Sequence, residues 1–257
     1  MSELFERAWP LAEAKAGVAI VHGLAEHSGR YEHVAQALNA SGYAAYGLDV
    51  RGHGRSVGFP GEVGGDVDRV IADVREFAER VAAAHEVGFV LAHSMGTLLA
   101  LPAVAALPEG TIRGLVLSGT ALMPGPAVLD SMAAGEGIPP EKLSRDPAVV
   151  DAYKNAPLVF YDRVPPELMG LALEATQRAS AAVPLITIPV LLIHGMEDEI
   201  CDLQGAQYVH TELVGTDKTL KVYEACLHEV LNEPDREQVI ADVVAWFDAH
   251  LEVAPVT

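Results

Sequence analysis

Ser94 lies in Ala92-His93-Ser94-Met95-Gly96, between a short apolar run and a second apolar stretch compatible with a helix. The A-x-S-x-G pattern marks a tight strand-to-helix turn that holds the serine at its tip in strained backbone geometry. The residues two before and two after the serine crowd each other there and must be small, as Ala92 and Gly96 are. A serine at its ordinary pKa is a poor nucleophile, so a histidine must take its proton and a carboxylate must orient that histidine. His228, in Cys226-Leu227-His228-Glu229-Val230, follows the last strand candidate and precedes the final helix. His210 and His250 fall in helical patterns, and His85 precedes a strand at the wrong end of a sheet. For the acid, the segment Glu197-Asp198-Glu199 follows another apolar run; Asp198 is the choice, with Glu197, Glu199 and Asp202 as rivals on spacing. Acyl transfer also needs donors aimed at a developing oxyanion. The backbone N–H of Met95 is one, and that of Leu24, in the loop His22-Gly23-Leu24-Ala25-Glu26, is the second.

These groups must be positioned by a scaffold. Six apolar runs, at 18–21, 43–48, 87–91, 112–117, 188–193 and 220–223, lack clean alternation and read as strands buried on both faces. Between them, Val67, Val70, Ile71, Val74, Phe77, Ala78 and Val81 form a helical stripe, as do Ile240, Val243, Val244, Phe247 and Leu251 near the end. Alternating strand and helix predicts an α/β fold with a mostly parallel central sheet and helices on both faces. Ligands in such sheets bind at the carboxyl ends of the strands, where each of these motifs falls. Residues 123–183 break the rhythm with Pro124-Gly125-Pro126 and a Gly- and Pro-rich stretch from Gly135 to Pro140. An insert of about sixty residues exceeds a normal connection. It is expected to be a helical cap, carrying a helix over 165–180, on a core made of 1–122 and 184–257.

The formal charge of −19, from 36 acidic and 17 basic residues, disfavours nucleic acid and steady adsorption to an anionic membrane. Half the residues are hydrophobic, which argues for a packed globular body. No stretch is long enough for a membrane span, and the acidic opening Met1-Ser2-Glu3-Leu4-Phe5-Glu6 lacks the pattern of a secretory signal. A cytoplasmic protein is therefore expected, with Cys201 and Cys226 as free thiols. The two cysteines form no metal-binding cluster spacing, and no metal is expected. The Gly-rich loop Asp49-Val50-Arg51-Gly52-His53-Gly54-Arg55-Ser56 lacks the spacing and lysine of a phosphate-binding loop, and is expected to brace the loops around the site.

Together these segments resemble the monoacylglycerol lipase and lysophospholipase-like branch of the α/β-hydrolases. The matching pieces are His22 to Tyr31, Asp49 to Ser56, His93-Ser94-Met95-Gly96, His194-Gly195-Met196-Glu197-Asp198, and His228-Glu229-Val230-Leu231-Asn232-Glu233, in order along nearly the whole chain. The resemblance implies Ser94 as nucleophile, Asp198 as orienting acid, His228 as base, and the N–H groups of Leu24 and Met95 as the oxyanion hole. It implies ester hydrolysis through an acyl-enzyme without metal or organic cofactor, on a monoacylglycerol or similar single-chain ester, with transient lipid contact through the cap. A carboxylesterase, lysophospholipase or thioesterase would keep the same triad, as would a cofactor-free haloperoxidase-like enzyme. A dehalogenase needs an aspartate where Ser94 stands, and a binding protein on this fold usually lacks a triad member. Residues 157–161 and the leucines from Leu168 onward are expected to line an acyl tunnel or to pack the cap. Three departures stand out: Ala92 and Thr97 replace family glycines, and only about sixteen residues precede the first central strand, so a leading hairpin is expected to be trimmed. Cys201, close behind Asp198, occupies a place where relatives also carry a cysteine, implying sensitivity to thiol reagents.

Overall fold

The computed structural model describes residues 4–134, 136–162 and 164–251. The apolar runs form β2 (Ala16–Val21), β3 (Tyr43–Leu48), β4 (Gly88–His93), β5 (Gly114–Ser118), β6 (Val190–Gly195) and β7 (Lys218–Tyr223). With β1 (Glu6–Trp9) they make one sheet in the order β1-β3-β2-β4-β5-β6-β7, parallel except for β1. Every residue of β2, β4, β5 and β6 is buried, which is why these segments are apolar without alternation. Pro189 sits just before β6; it has no N–H to donate, but its carbonyl accepts from Leu115 N of β5 at 3.0 Å.

The sequence reading has no strand before Val18. β1 is a half-exposed edge strand in which only Trp9 is buried, so it carries no apolar run. It pairs antiparallel with β3, Glu6 opposite Leu48, and stands where a hairpin was expected to be trimmed.

Helices α1 (Glu32–Ala40), α2 (Val67–His85), α3 (Met95–Ala105), α4 (Pro126–Ala134), α5 (Pro147–Asn155), α6 (Pro166–Ala182), α7 (Leu203–Glu212) and α8 (Arg236–Ala249) complete the chain. Val70, Val74 and Phe77 of α2 and Leu99 of α3 pack on one face of the sheet; Val34 and Leu38 of α1 and Val243 and Phe247 of α8 cover the other. The stripe read from the sequence thus faces the sheet in both long helices.

From β2 the chain moves outward to β3 and then returns to β4 on the opposite side of β2. The strand order therefore reverses between β2 and β4, and a crevice opens at their carboxyl ends. The loop after β2 carries Leu24, and the turn after β4 carries Ser94, so topology alone sets them side by side.

The 123–183 stretch runs from just after β5 to just before β6 and holds α4, α5 and α6. Its last helix is not loose: Leu168, Leu171, Ala175, Ala179 and Ala182 of α6 are buried in the same core as α3. Earlier parts are laced to the loops at the strand ends, through Gly125 N to Ile200 O (2.8 Å), Glu229 N to Leu143 O (2.8 Å) and Phe160 N to Ala25 O (3.2 Å).

Candidate active site

Ser94 occupies the turn between β4 and α3 with φ 52° and ψ −125°, a conformation disfavoured for any residue with a Cβ. The turn survives because its surroundings over-determine it. A Cβ on Gly96 would lie 2.5 Å from Val21 O and 2.6 Å from His22 O, so only glycine lets α3 start this close to β2. Ala92 is fully buried in β4 and its methyl fits. Thr97 contributes a tie that glycine lacks: its Oγ1 donates to Ser94 O (2.7 Å) and accepts from Ala121 N (3.1 Å), pinning the turn to the segment after β5.

Asp198 and His228 meet across thirty residues of sequence, His228 Nδ1 lying 2.8 Å from Asp198 Oδ2. The carboxylate is saturated. Oδ1 accepts from Ile200 N and Cys201 N, both at 2.9 Å, and Oδ2 also faces His194 Nε2 at 3.2 Å. Burial pushes the Asp198 pKa up, but the His228 charge and the two imidazole hydrogen bonds outweigh it and hold the group well below the usual carboxylate range. Burial pulls His228 down, yet the charge and hydrogen bond of Asp198, helped by Glu229 and Glu26, leave its pKa raised. The rival acids point elsewhere: Glu199 pairs with Lys142 (2.7 Å), Asp202 caps α7 through Gln204 N (2.8 Å), and Glu197 is an exposed turn residue.

Ser94 and His228 line one pocket with Gly23, Leu24, His93, Ile138, Leu143, Tyr153 and Ile200. Ser94 Oγ and His228 Nε2 make no hydrogen bond in this conformation; such links are often open in ligand-free sites. Among the described residues neither the Leu24 nor the Met95 N–H has a partner. Both flank Ser94: Met95 opens α3, where helix N–H groups are free by geometry, and Gly23 approaches so closely that a Cβ there would lie 3.0 Å from Ser94 Cβ. Two free donors beside a nucleophile are the arrangement that holds a tetrahedral oxyanion.

The pocket beside Ser94 is narrow, with about 10 Å³ of room for water. Ile138, Leu143 and Tyr153 of the insert line it. None of residues 157–161, Leu168, Leu171 or Leu173 lines this pocket. Phe160 packs on His53 and Phe59, Leu168 and Leu171 join the core, and Leu173 is exposed.

Residue chemistry at the other motifs is also settled by packing. In the Gly-rich loop, Asp49 accepts from Ser28 N, Ser28 Oγ and Arg55 N, while Arg51 Nε reaches Asp73 (2.9 Å), bracing the loops as expected. Cys201 and Cys226 are buried free thiols. Burial and the Asp198 charge push the Cys201 thiol well above its ordinary value, against a smaller opposing hydrogen bond from Ser94. That works against the thiolate on which reagent sensitivity depends.

Sequence reasoning assigned no role to two groups now seen at the site. His194 backs Asp198 from the end of β6; its place in the segment leading to Asp198 was visible, but not that its ring turns back to that carboxylate. Glu26, Arg30 and Glu229 form a buried ion cluster at the pocket edge, for which the four-residue spacing of Glu26 and Arg30 was the available signal.

A family model described as "Serine aminopeptidase, S33" matches residues 12–235. A monoacylglycerol lipase of Mycolicibacterium smegmatis is 36% identical over 94% of this chain and 91% of its own length. The chain belongs to the monoacylglycerol lipase/esterase branch of the α/β-hydrolase superfamily. The monoglyceride lipase of Homo sapiens is 32% identical over 90% of this chain and 81% of its own. Among solved structures, monoacylglycerol lipase from Paleococcus ferrophilus superposes with a TM-score of 0.84 at 30% identity, covering 96% of this hydrolase and 99% of that chain. The protein is thus a serine-hydrolase-type enzyme related to lipases and esterases that act on esters.

Proposed function

We propose that this hydrolase cleaves monoacylglycerols or similar single-chain acyl esters through an acyl-enzyme on Ser94. The observation that carries the reading is a strained serine sharing one pocket with His228, which Asp198 holds from behind, and flanked by two unpartnered N–H groups. His228, neutral at Nε2 because Nδ1–H is committed to Asp198, takes the proton of Ser94 as it attacks the carbonyl. Leu24 N–H and Met95 N–H hold the oxyanion. His228 then protonates the leaving alcohol, and the same groups activate water for deacylation. Each step uses groups of the chain itself.

Residues 1–122 and 184–257 serve as the catalytic core in this reading, and 123–183 as the cap. With so narrow a pocket, entry of an acyl chain in this reading goes with movement of the cap residues Ile138, Leu143 and Tyr153 that line it. Leu129 and Leu173, exposed on the insert, supply apolar contact for a lipid surface during that step. Among the described residues no helix is long and apolar enough to cross a membrane. Two unpaired buried thiols fit a reducing, cytoplasmic setting.

The test is fatty-acid release from 1-monoacylglycerols of short, medium and long chain, with Ser94→Ala and an aryl butyrate in parallel. Hydrolysis by the parent and none by the variant supports the reading, and the chain-length profile sizes the opened tunnel. Cleavage of the aryl ester alone removes the monoacylglycerol assignment while keeping the triad.

A further inference from the structure

The proton transfers of acyl transfer give no direct part to the ion cluster beside the pocket. Arg30 Nη1 donates to Glu26 Oε2 and to Glu229 Oε1, both at 2.6 Å, and Nη2 donates to Glu229 Oε2 at 2.7 Å. Gly23 N (2.6 Å) and Tyr31 OH (2.9 Å) donate to Glu26 Oε1, and Asn232 Nδ2 (2.8 Å) donates to Glu229 Oε2. Burial works against ionisation of Glu26, but Arg30 and the neighbouring imidazoles bring its pKa down to about 2; Glu229 is lowered for the same reason. His93, beside them, is pulled by burial down to about 4 and is neutral at pH 7. Two carboxylates share one guanidinium, so the cluster holds one more acidic side chain than basic.

The cluster faces a particular part of the reaction. His228 must hand its proton to the leaving oxygen, so the departing alcohol lies on the His228 side of Ser94. Glu229 is the next residue and lines the same pocket, as does Glu26 from the loop carrying Leu24. Among the described residues that line the pocket there is no lysine or arginine, and Arg30 is already committed to both carboxylates. A phosphate placed there meets negative charge in a poorly screened environment and finds no free cation to pair with.

We propose that Glu26 and Glu229 set the leaving-group specificity of the site, admitting neutral and cationic alcohols and rejecting phosphate-bearing ones. The proposal rests on the acyl-ester reading above and names the alcohol class that reading leaves open. One excess negative charge about 6 Å from a phosphate, at an effective dielectric of about 20, disfavours it by about a hundredfold before solvent screening.

The experiment compares three esters sharing a decanoyl chain, each below its micelle concentration: 1-decanoylglycerol, 1-decanoylglycerol 3-phosphate and decanoylcholine. For the full chain, kcat/KM on the phosphate ester is expected at least about tenfold below the glycerol ester, with the choline ester no slower than glycerol. Glu229→Gln and Glu26→Gln each neutralise the cluster and are expected to shrink the glycerol-to-phosphate ratio by about tenfold. Because the ratio is taken within each variant, a general loss of activity or of packing cancels. Hydrolysis of the phosphate ester by the parent within about threefold of the glycerol ester overturns the proposal, as does an unchanged ratio in both variants. Even without a folded variant, near-equal rates of the parent on the glycerol and phosphate esters overturn the proposal. Failure of the monoacylglycerol reading looks different: slow absolute turnover of the glycerol ester with the charge order intact.

Discussion

Asp198→Asn is the sharpest perturbation of the site, because the structure dictates how the amide must sit. Oδ1 accepts from two backbone N–H groups, of Ile200 and Cys201, at 2.9 Å each. An asparagine turned the other way would aim its NH₂ at both donors. The amide oxygen is thus locked at Oδ1, and the NH₂ is forced to the Oδ2 position, 2.8 Å from His228 Nδ1 and 3.2 Å from His194 Nε2. Nδ1 of His228 must then accept, which moves its proton to Nε2 and leaves no lone pair facing Ser94. In serine hydrolases of the triad type this wrong-tautomer effect lowers kcat by about ten-thousandfold, or about 5.5 kcal/mol of barrier at 1.36 kcal/mol per decade. The assay is steady-state hydrolysis of an aryl butyrate at neutral pH, with a thermal melt to show that the variant is folded. A folded Asp198→Asn variant retaining kcat within about tenfold of the parent would refute the reasoning. So would an equal loss in Glu199→Gln or Asp202→Asn, whose side chains face Lys142 and the start of α7.

Other expectations follow from the same geometry. Ser94→Gly relieves the positive φ at the turn, so it should be more stable to urea than Ser94→Ala by about 1–3 kcal/mol while both are inactive; equal midpoints would mean the turn holds no strain. Thr97→Val removes the bonds to Ser94 O and Ala121 N, and denaturant unfolding should show a loss of about 1–3 kcal/mol with a lower kcat. His228 acts as a base only when neutral, and its pKa is raised, so kcat/KM should fall with decreasing pH along a limb centred above the ordinary histidine value of 6.5. Glu229 helps to raise that pKa; in Glu229→Gln the limb should move to lower pH, and an unmoved limb would remove Glu229 from the electrostatics of the base.

Legibility in the sequence followed the range of the interactions. The turn at Ser94 was readable because its demand for small residues acts over five positions, and the structure gives the reason in the approach of α3 to two carbonyls of β2 and its loop. The buried strands were readable from continuous apolar runs, and α2 and α8 from their stripes. β1 was not, because a half-exposed edge strand has no such run and is held by pairing with β3. Between the two roles expected for 157–161 the sequence could not choose, because an apolar residue carries the same signal whether it lines a cavity or, like Phe160, packs between neighbours.

By itself the amino-acid order pointed to Ser94 as the candidate nucleophile and to the sheet that carries it, since both readings rest on local composition and spacing. Only the tertiary structure decided among the four acids near residue 198, because that choice depends on which carboxylate reaches His228 across thirty positions. The same holds for His194 behind Asp198 and for the sharing of Arg30 by Glu26 and Glu229, the latter 199 positions from Arg30. Such pairings have no local signature, since burial and distance create them only after the sheet has brought its loops together.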